Sequence, residues 1–359
     1  SLMPAHGTVL LTARDLPPGA FSVVMATGIV STAGQLLGWH AISWPLFALN
    51  ILFYAVLLIL LAVRCSRFPA RVGEDFRAHA RSAGFFTVVA ATAVVGTELV
   101  LRVSMPTIAF ILWGAAILLW LVLIYSFFAV MTVLPEKPAL DAGMNASWML
   151  LVVSTQSVSL LGTLLSPALG SASDVVLGFT TCMFLIGCMF YILLFSLILY
   201  RFLFFPLDAT GVSPPYWINM GAVAITTLAG SLLVIRAPDA PVLAEVRPFI
   251  LGFTLLFWAT ATWWFPLLIL LGAWRHGLER VPIRYDVQYW SMVFPLGMYT
   301  VATIRLSEAV AWPFLQPIAR VVGVFALIAW ALAFAGLLTR IVRPRAGAGR
   351  AHGTAAGGG

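Results

Sequence analysis

Four charged residues sit where charge is costly. Glu98 and Arg102 are four apart and Arg305 and Glu308 three apart, each pair near the end of a long apolar stretch. On a helix both spacings place the partners on one face, and ionisable groups at membrane depth are functional candidates by default. Two chemistries suit them. The guanidiniums of Arg102 and Arg305 would concentrate incoming anions and grip a carboxylate with paired N–H groups. Glu98 is the type of group that carries a proton. One expectation is therefore a shared Glu98–Arg102–Arg305 cluster at an outer mouth. The alternative is two helix-end ion pairs whose arginines snorkel to the interface.

A second constellation is uncharged. The stretch YWSMVFPLGMYTVATIR, from Tyr289 to Arg305, holds Pro295 and Gly297 near its middle. Proline there removes a backbone donor and crowds the carbonyl of Ser291, so a kink is expected. A carbonyl freed in lipid needs protein or water beside it, which puts the kink against a bundle interior or a wet cavity. Phe294 immediately precedes it, and its ring either plugs that cavity or packs between helices. Gln156, midway along another apolar stretch, either donates to an anion or ties two helices together.

Other chemistries find no support in the sequence. His40, His79 and His276 are far apart in the chain, and Cys65, Cys182 and Cys188 form no CxxC pair. No metal ligand set, no cofactor and no nucleotide-binding loop is expected. Nor do a nucleophile and base cluster within the apolar stretches, so the chain does not read as an enzyme.

The elements that must position these residues follow from composition. Of 359 residues 62% are hydrophobic and only 9% charged, where soluble domains are about a quarter charged. Spans of about 20 apolar residues read as transmembrane helices. Ten are expected: Gly19–Gly38, Trp44–Val63, Ala83–Leu101, Thr107–Val133, Met144–Leu165, Val175–Leu199, Tyr216–Ile235, Phe249–Trp274, Val287–Ile304 and Ile318–Ile341. Proline-bearing turns separate them, Ser43-Trp44-Pro45 and Pro238/Pro241 among them. The fold class is thus all-α and polytopic. Residues 1–18 form a cytoplasmic N-terminal segment, with Ser1 and Leu2 read as additions ahead of Met3. Residues 19–341 form the membrane domain, and 342–359 a disordered cytoplasmic tail.

With both termini cytoplasmic, fifteen basic residues fall inside and five outside, as the positive-inside rule favours. The net charge of +7 is then a topology signal and a contact for anionic membrane lipid, not a nucleic-acid site. That balance suits a bacterial inner, or plasma, membrane.

The odd-numbered spans are shorter and richer in hydroxyls, amides and glycine than the even ones. Such alternation reads as five two-helix units, each with a polar helix turned inward and a greasy one toward lipid. The competing reading is that small and hydroxyl residues only mark tight helix contacts. On the first reading the path is lined by Thr27, Gly28, Gly96, Gln156, Gly162, Gly221 and Ser291, chosen for their mid-span positions. Such a lining would bind anions weakly through oriented dipoles.

PPGAFSVVMATGIVS (Pro17–Ser31), PPYWINMGAVAIT (Pro214–Thr226) and YDVQYWSMVFPLGMYTVAT (Tyr285–Thr303) resemble the tellurite-resistance/dicarboxylate transporter family. Its members include the bacterial permease TehA, fungal malate and sulfite permeases and plant slow-type anion channels. The resemblance spans about Pro17 to Ile341. It implies five helical hairpins around a central pore, odd helices inner and even helices outer, usually in a homotrimer. It also implies that Phe294 matches the phenylalanine that occludes the pore of channel members. The leading expectation is a channel or permease for small inorganic or organic anions. The alternatives are a proton-coupled four-carbon dicarboxylate transporter using Glu98, and a non-transporting membrane scaffold or receptor.

Overall fold

The computed structural model describes residues 13–206, 216–280 and 287–342. The N-terminal segment as far as residue 12 and the tail beyond 342 lie outside the described residues, as do Pro214, Pro215, Tyr285 and Asp286 of the family-like motifs. No strand occurs among the described residues.

Ten helices of 15 residues or more are numbered here in chain order. They are α1 (Ser22–Leu36), α2 (His40–Arg67), α3 (Phe86–Val103), α4 (Pro106–Val133), α5 (Leu150–Leu165), α6 (Ser173–Phe204), α7 (Trp217–Arg236), α8 (Pro241–Ala273), α9 (Trp290–Val310) and α10 (Leu315–Val342). Among the described residues eight segments are long and apolar enough to cross a membrane, one of them, Ala146–Phe204, running through both α5 and α6. Helix α9 is not among the eight, since Ser291, Thr300, Thr303, Arg305 and Glu308 dilute its apolar character. The chain is an all-α polytopic membrane protein.

Burial separates the helices into two populations. The apolar windows of α1, α3 and α7 are 83%, 83% and 94% buried, whereas those of α2, α4, α8 and α10 are 22%, 28%, 22% and 33% buried. Helices α1, α3, α5, α7 and α9 touch in succession, and α9 closes the ring on α1. Each even helix packs on the odd helix before it and leans on the next odd helix, with α10 returning to α1. The outer helices turn Ile59, Ile111, Leu118, Leu203, Leu270 and Leu332 outward, as a lipid-facing coat requires.

Several helix boundaries depart from the sequence reading, two of them at prolines. Helix α2 starts at His40 and runs through Pro45, where a turn was expected. Helix α8 starts at Pro241 and runs through Pro248 and Pro266, where a start at Phe249 was expected. In a membrane bundle the backbone groups that proline frees can be satisfied by neighbouring helices and polar side chains, so Pro45, Pro248, Pro266 and Pro295 all sit inside helices without ending them. The turns at the far ends of α3 and α9 are tight for another reason. Ser104 and Ala311 take left-handed conformations, φ 50° and 55°, and direct the chain at once into α4 and toward α10.

Candidate functional site

A narrow axial cavity of about 30 Å³ lies inside the ring. All five inner helices border it, contributing for example Ile29, Ala93, Leu160, Ile225 and Met298. Of its sixteen lining residues twelve are apolar; the others are Thr32, Thr97, Ser157 and Arg305. Arg305 is the one charged member of that lining.

Helix α9 supplies the cavity and the plug candidate from one face. Phe294, Met298, Val301 and Arg305 follow at intervals of four, three and four, the spacing of a single helical stripe. The cavity wall begins at Met298 and Ile225, one turn beyond Phe294 and Gly221. Phe294 is only 2% exposed, and its ring rests against Gly221. A Cβ at Gly221 would lie 3.0 Å from ring carbons of Phe294 and from the Pro295 ring, so glycine is what lets α7 and α9 approach here. Helix α9 remains helical through Pro295. Gly297 meets Ile29 and Val30 of α1, and Ser291 is half-buried in the first turn of α9.

The other residues expected to line the path do not border the cavity. Thr27 accepts a hydrogen bond from the Trp330 indole of α10 at 3.1 Å. Gly28 faces Asn50 and Glu98, Gly96 faces Leu161, and Gly162 faces Trp113 and Thr180. Gln156 ties two helices, its Nε2 donating to the Phe184 carbonyl at 3.0 Å. The physical reason is helical phase. One residue turns a side chain about 100° around the axis, so Ile29, Thr97 and Ser157 reach the cavity where Gly28, Gly96 and Gln156 do not.

Some polar side chains of the inner helices engage the outer ring, while Thr32, Ser157, Thr226, Thr227, Ser231 and Thr300 bond back to carbonyls of their own helix. Trp120 Nε1 donates to Thr155 Oγ1 at 2.8 Å, Trp113 Nε1 to the Val158 carbonyl at 2.9 Å, and Trp258 Nε1 to Thr303 Oγ1 at 3.1 Å. With Trp330–Thr27 these place an outer indole against the next inner helix in three of the five units. The tight-contact reading of the hydroxyls therefore fits Thr27, Thr155 and Thr303. The indole donors went unread in the sequence; their signal was tryptophan recurring on the even spans.

Nor does the expected cluster of Glu98, Arg102 and Arg305 form. Arg102 has a side chain 1% exposed and donates to the Ser31 carbonyl at 2.6 Å, Ser31 Oγ at 2.8 Å and Ser43 Oγ at 3.1 Å. Its guanidinium lies 5.6 Å from the ring centres of both Trp44 and Phe47. Glu98 accepts from Asn50 Nδ2 of α2 at 2.7 Å, and its other oxygen is 4.0 Å from Arg102 Nε. Side chains this enclosed clamp α1, α2 and α3 together, because a buried charge is tolerable only when it is paired and hydrogen-bonded. Arg305 stands apart, bonded to Glu308 Oε2 at 2.7 Å and 22% exposed.

A closed ring of helices holding an axial cavity inside an apolar coat is the architecture of a membrane transport protein. Comparison with known proteins narrows the class. The family profile described as voltage-dependent anion channel, SLAC1, matches residues 15–338, and the chain belongs to that family. It is 25% identical over 291 residues to an uncharacterised transporter of Methanocaldococcus jannaschii, covering 79% of this chain and 82% of that one. It is 24% identical over 341 residues to a sulfite efflux pump of Trichophyton rubrum, covering 89% and 88%. An uncharacterised membrane protein of Mycobacterium tuberculosis is 39% identical over 160 residues, 45% of this chain and 81% of its own. Together these make the chain a membrane anion transporter or channel.

Proposed function

We propose that the protein is a passive pathway for small anions, in which the ion crosses the axial cavity and Phe294 closes its floor. One observation carries the reading: the cavity bordered by all five inner helices stops one turn short of Phe294, whose ring rests on Gly221. A ring in an apolar neck blocks by sterics and by excluding water, and needs no charged partner. Sulfite, the cargo named for the fungal relatives, is the first anion to test, with chloride and nitrate beside it. On this reading the protein sits in the plasma membrane with both termini cytoplasmic and assembles as a trimer.

Purified protein in liposomes tests it. Anion flux should follow the electrochemical gradient alone and be indifferent to an imposed pH gradient. Malate uptake that requires a pH gradient would overturn the passive reading. It would favour proton-coupled dicarboxylate transport, for which one feature speaks: the Glu98 oxygen facing Arg102 has no hydrogen-bond partner, and Glu98 adjoins cavity-lining Thr97. In that case Glu98→Gln should abolish pH-driven uptake while leaving malate exchange intact.

A further inference from the structure

The cavity stripe of α9 does not end at Arg305. Glu308 follows three residues later and continues the series Phe294, Met298, Val301, Arg305 on the same helical face. Its side chain is 43% exposed against 22% for Arg305, so the carboxylate lies nearer the open end of the path than the guanidinium it binds. A negative charge there is opposed twice over. It repels the anions the cavity is read to admit, and it stands in the last turn of α9, where the helix dipole already favours cations. A cation would suit that turn, and Glu308 does not. Among the described residues, Glu308 is also the partner recorded for the Arg305 guanidinium. Arg102 differs: its side chain is buried, three hydrogen bonds to Ser31 and Ser43 hold it, and its own carboxylate neighbour, Glu98, stands 4.0 Å away.

We propose that Glu308 is a tethered competitor for an anion site at Arg305, an inference that rests on reading the axial cavity as the anion path. Without substrate its carboxylate occupies the guanidinium. An arriving anion displaces it, and its return helps expel the anion, so capture stays weak and exit fast. A conducting path needs that balance, because a site that binds too well holds its ion. The competitor is itself a carboxylate that bonds the guanidinium through Oε2, so the anions it opposes most directly are planar oxyanions that can accept from the same N–H groups. Spherical halides, which need only the charge, should feel it less.

The experiment is flux against concentration for nitrate and for chloride in proteoliposomes. It compares the wild-type chain with Glu308→Gln, Arg305→Gln and the double variant. Exposed ion pairs of this kind shift an equilibrium by about two- to fivefold. Glu308→Gln should therefore lower the half-saturating nitrate concentration by about that factor, with a smaller shift for chloride. In the Arg305→Gln background the same substitution should shift nothing, because the site it competes for is gone. An unchanged or raised half-saturating concentration in Glu308→Gln would overturn the proposal. So would an equal shift in both backgrounds, which would make Glu308 a general surface charge. Should Glu308→Gln not fold, Glu308→Asp answers the same question, since its shorter reach weakens the pair and must move nitrate saturation in the same direction. A chain that passes neither anion, as wild type or as Phe294→Ala, would instead sink the transport reading itself, a result distinct from any of these.

Discussion

The two faces of the inner helices have opposite chemistries. Outward, toward the second ring, Thr27, Thr155, Thr303 and Glu98 take hydrogen bonds from Trp330, Trp120, Trp258 and Asn50. Inward, twelve of sixteen cavity residues are apolar. Hydrocarbon explains the first face: an indole or amide donor in the coat has no water to turn to and must find its acceptor on another helix. The second face is free of that demand. An apolar wall suits a path that closes by drying, since a narrow greasy neck sheds water once a ring fills it. At Thr27, Thr155, Thr303 and Glu98 polarity thus fastens the two rings together, and the cavity face is the less polar side.

The largest test of this contrast is Phe294→Ala. If the ring is the floor of the path, its removal should raise anion conductance on the order of tenfold or more, with selectivity kept because the lining remains. If the ring only packs, truncation costs about 3–5 kcal/mol and leaves the protein less stable and silent. Melting temperature and conductance from one preparation separate these outcomes.

The two arginines come next, because one belongs to each face. Arg102→Gln should destabilise the fold by about 3–5 kcal/mol by stranding Glu98 in the clamp. The salt dependence of flux per folded molecule should not move. Arg305→Gln should do the reverse, lowering flux at low anion concentration and flattening its ionic-strength dependence, since screening acts on accessible charge. Its melting temperature should barely change. Matching effects from the two substitutions would erase the distinction between clamp and cavity.

Much of this architecture was legible in advance. The apolar spans gave the membrane class, and the alternation of polar and greasy spans picked out the inner helices, because their hydroxyls had to lie where partners were. The motif around Phe294 pointed to the stripe of α9. What could not be read was rotation. Gly28 and Ile29 are neighbours in sequence, yet one meets Asn50 and Glu98 while the other borders the cavity. Alternation says which helix is inside but not which way each residue points. Arg102 was misplaced for a related reason. A helix-end arginine looks the same in sequence whether it reaches water or is sealed beneath Trp44 and Phe47. The Pro45 and Pro248 boundaries erred because a membrane bundle tolerates proline inside a helix, as it also does at Pro266 and Pro295.

The smallest effect gives the finest test, because it uses two residues of one helix. Thr155 and Ser157 are two apart on α5, which turns their side chains about 200° from each other. Thr155 accepts from Trp120, while Ser157 borders the cavity and bonds back to the Val153 carbonyl at 2.7 Å. Thr155→Val keeps the volume and removes the acceptor, leaving the Trp120 indole unpaired in the coat. Interhelical hydrogen bonds in membranes average about 0.6 kcal/mol, so a small loss of thermal stability is expected with flux unchanged. Ser157→Ala leaves the inter-ring bonds alone and strips one of the few polar groups from the cavity wall. It should lower flux by less than about threefold with no loss of stability. A Thr155 variant that alters flux, or a Ser157 variant that alters only stability, would mean that α5 is turned the other way.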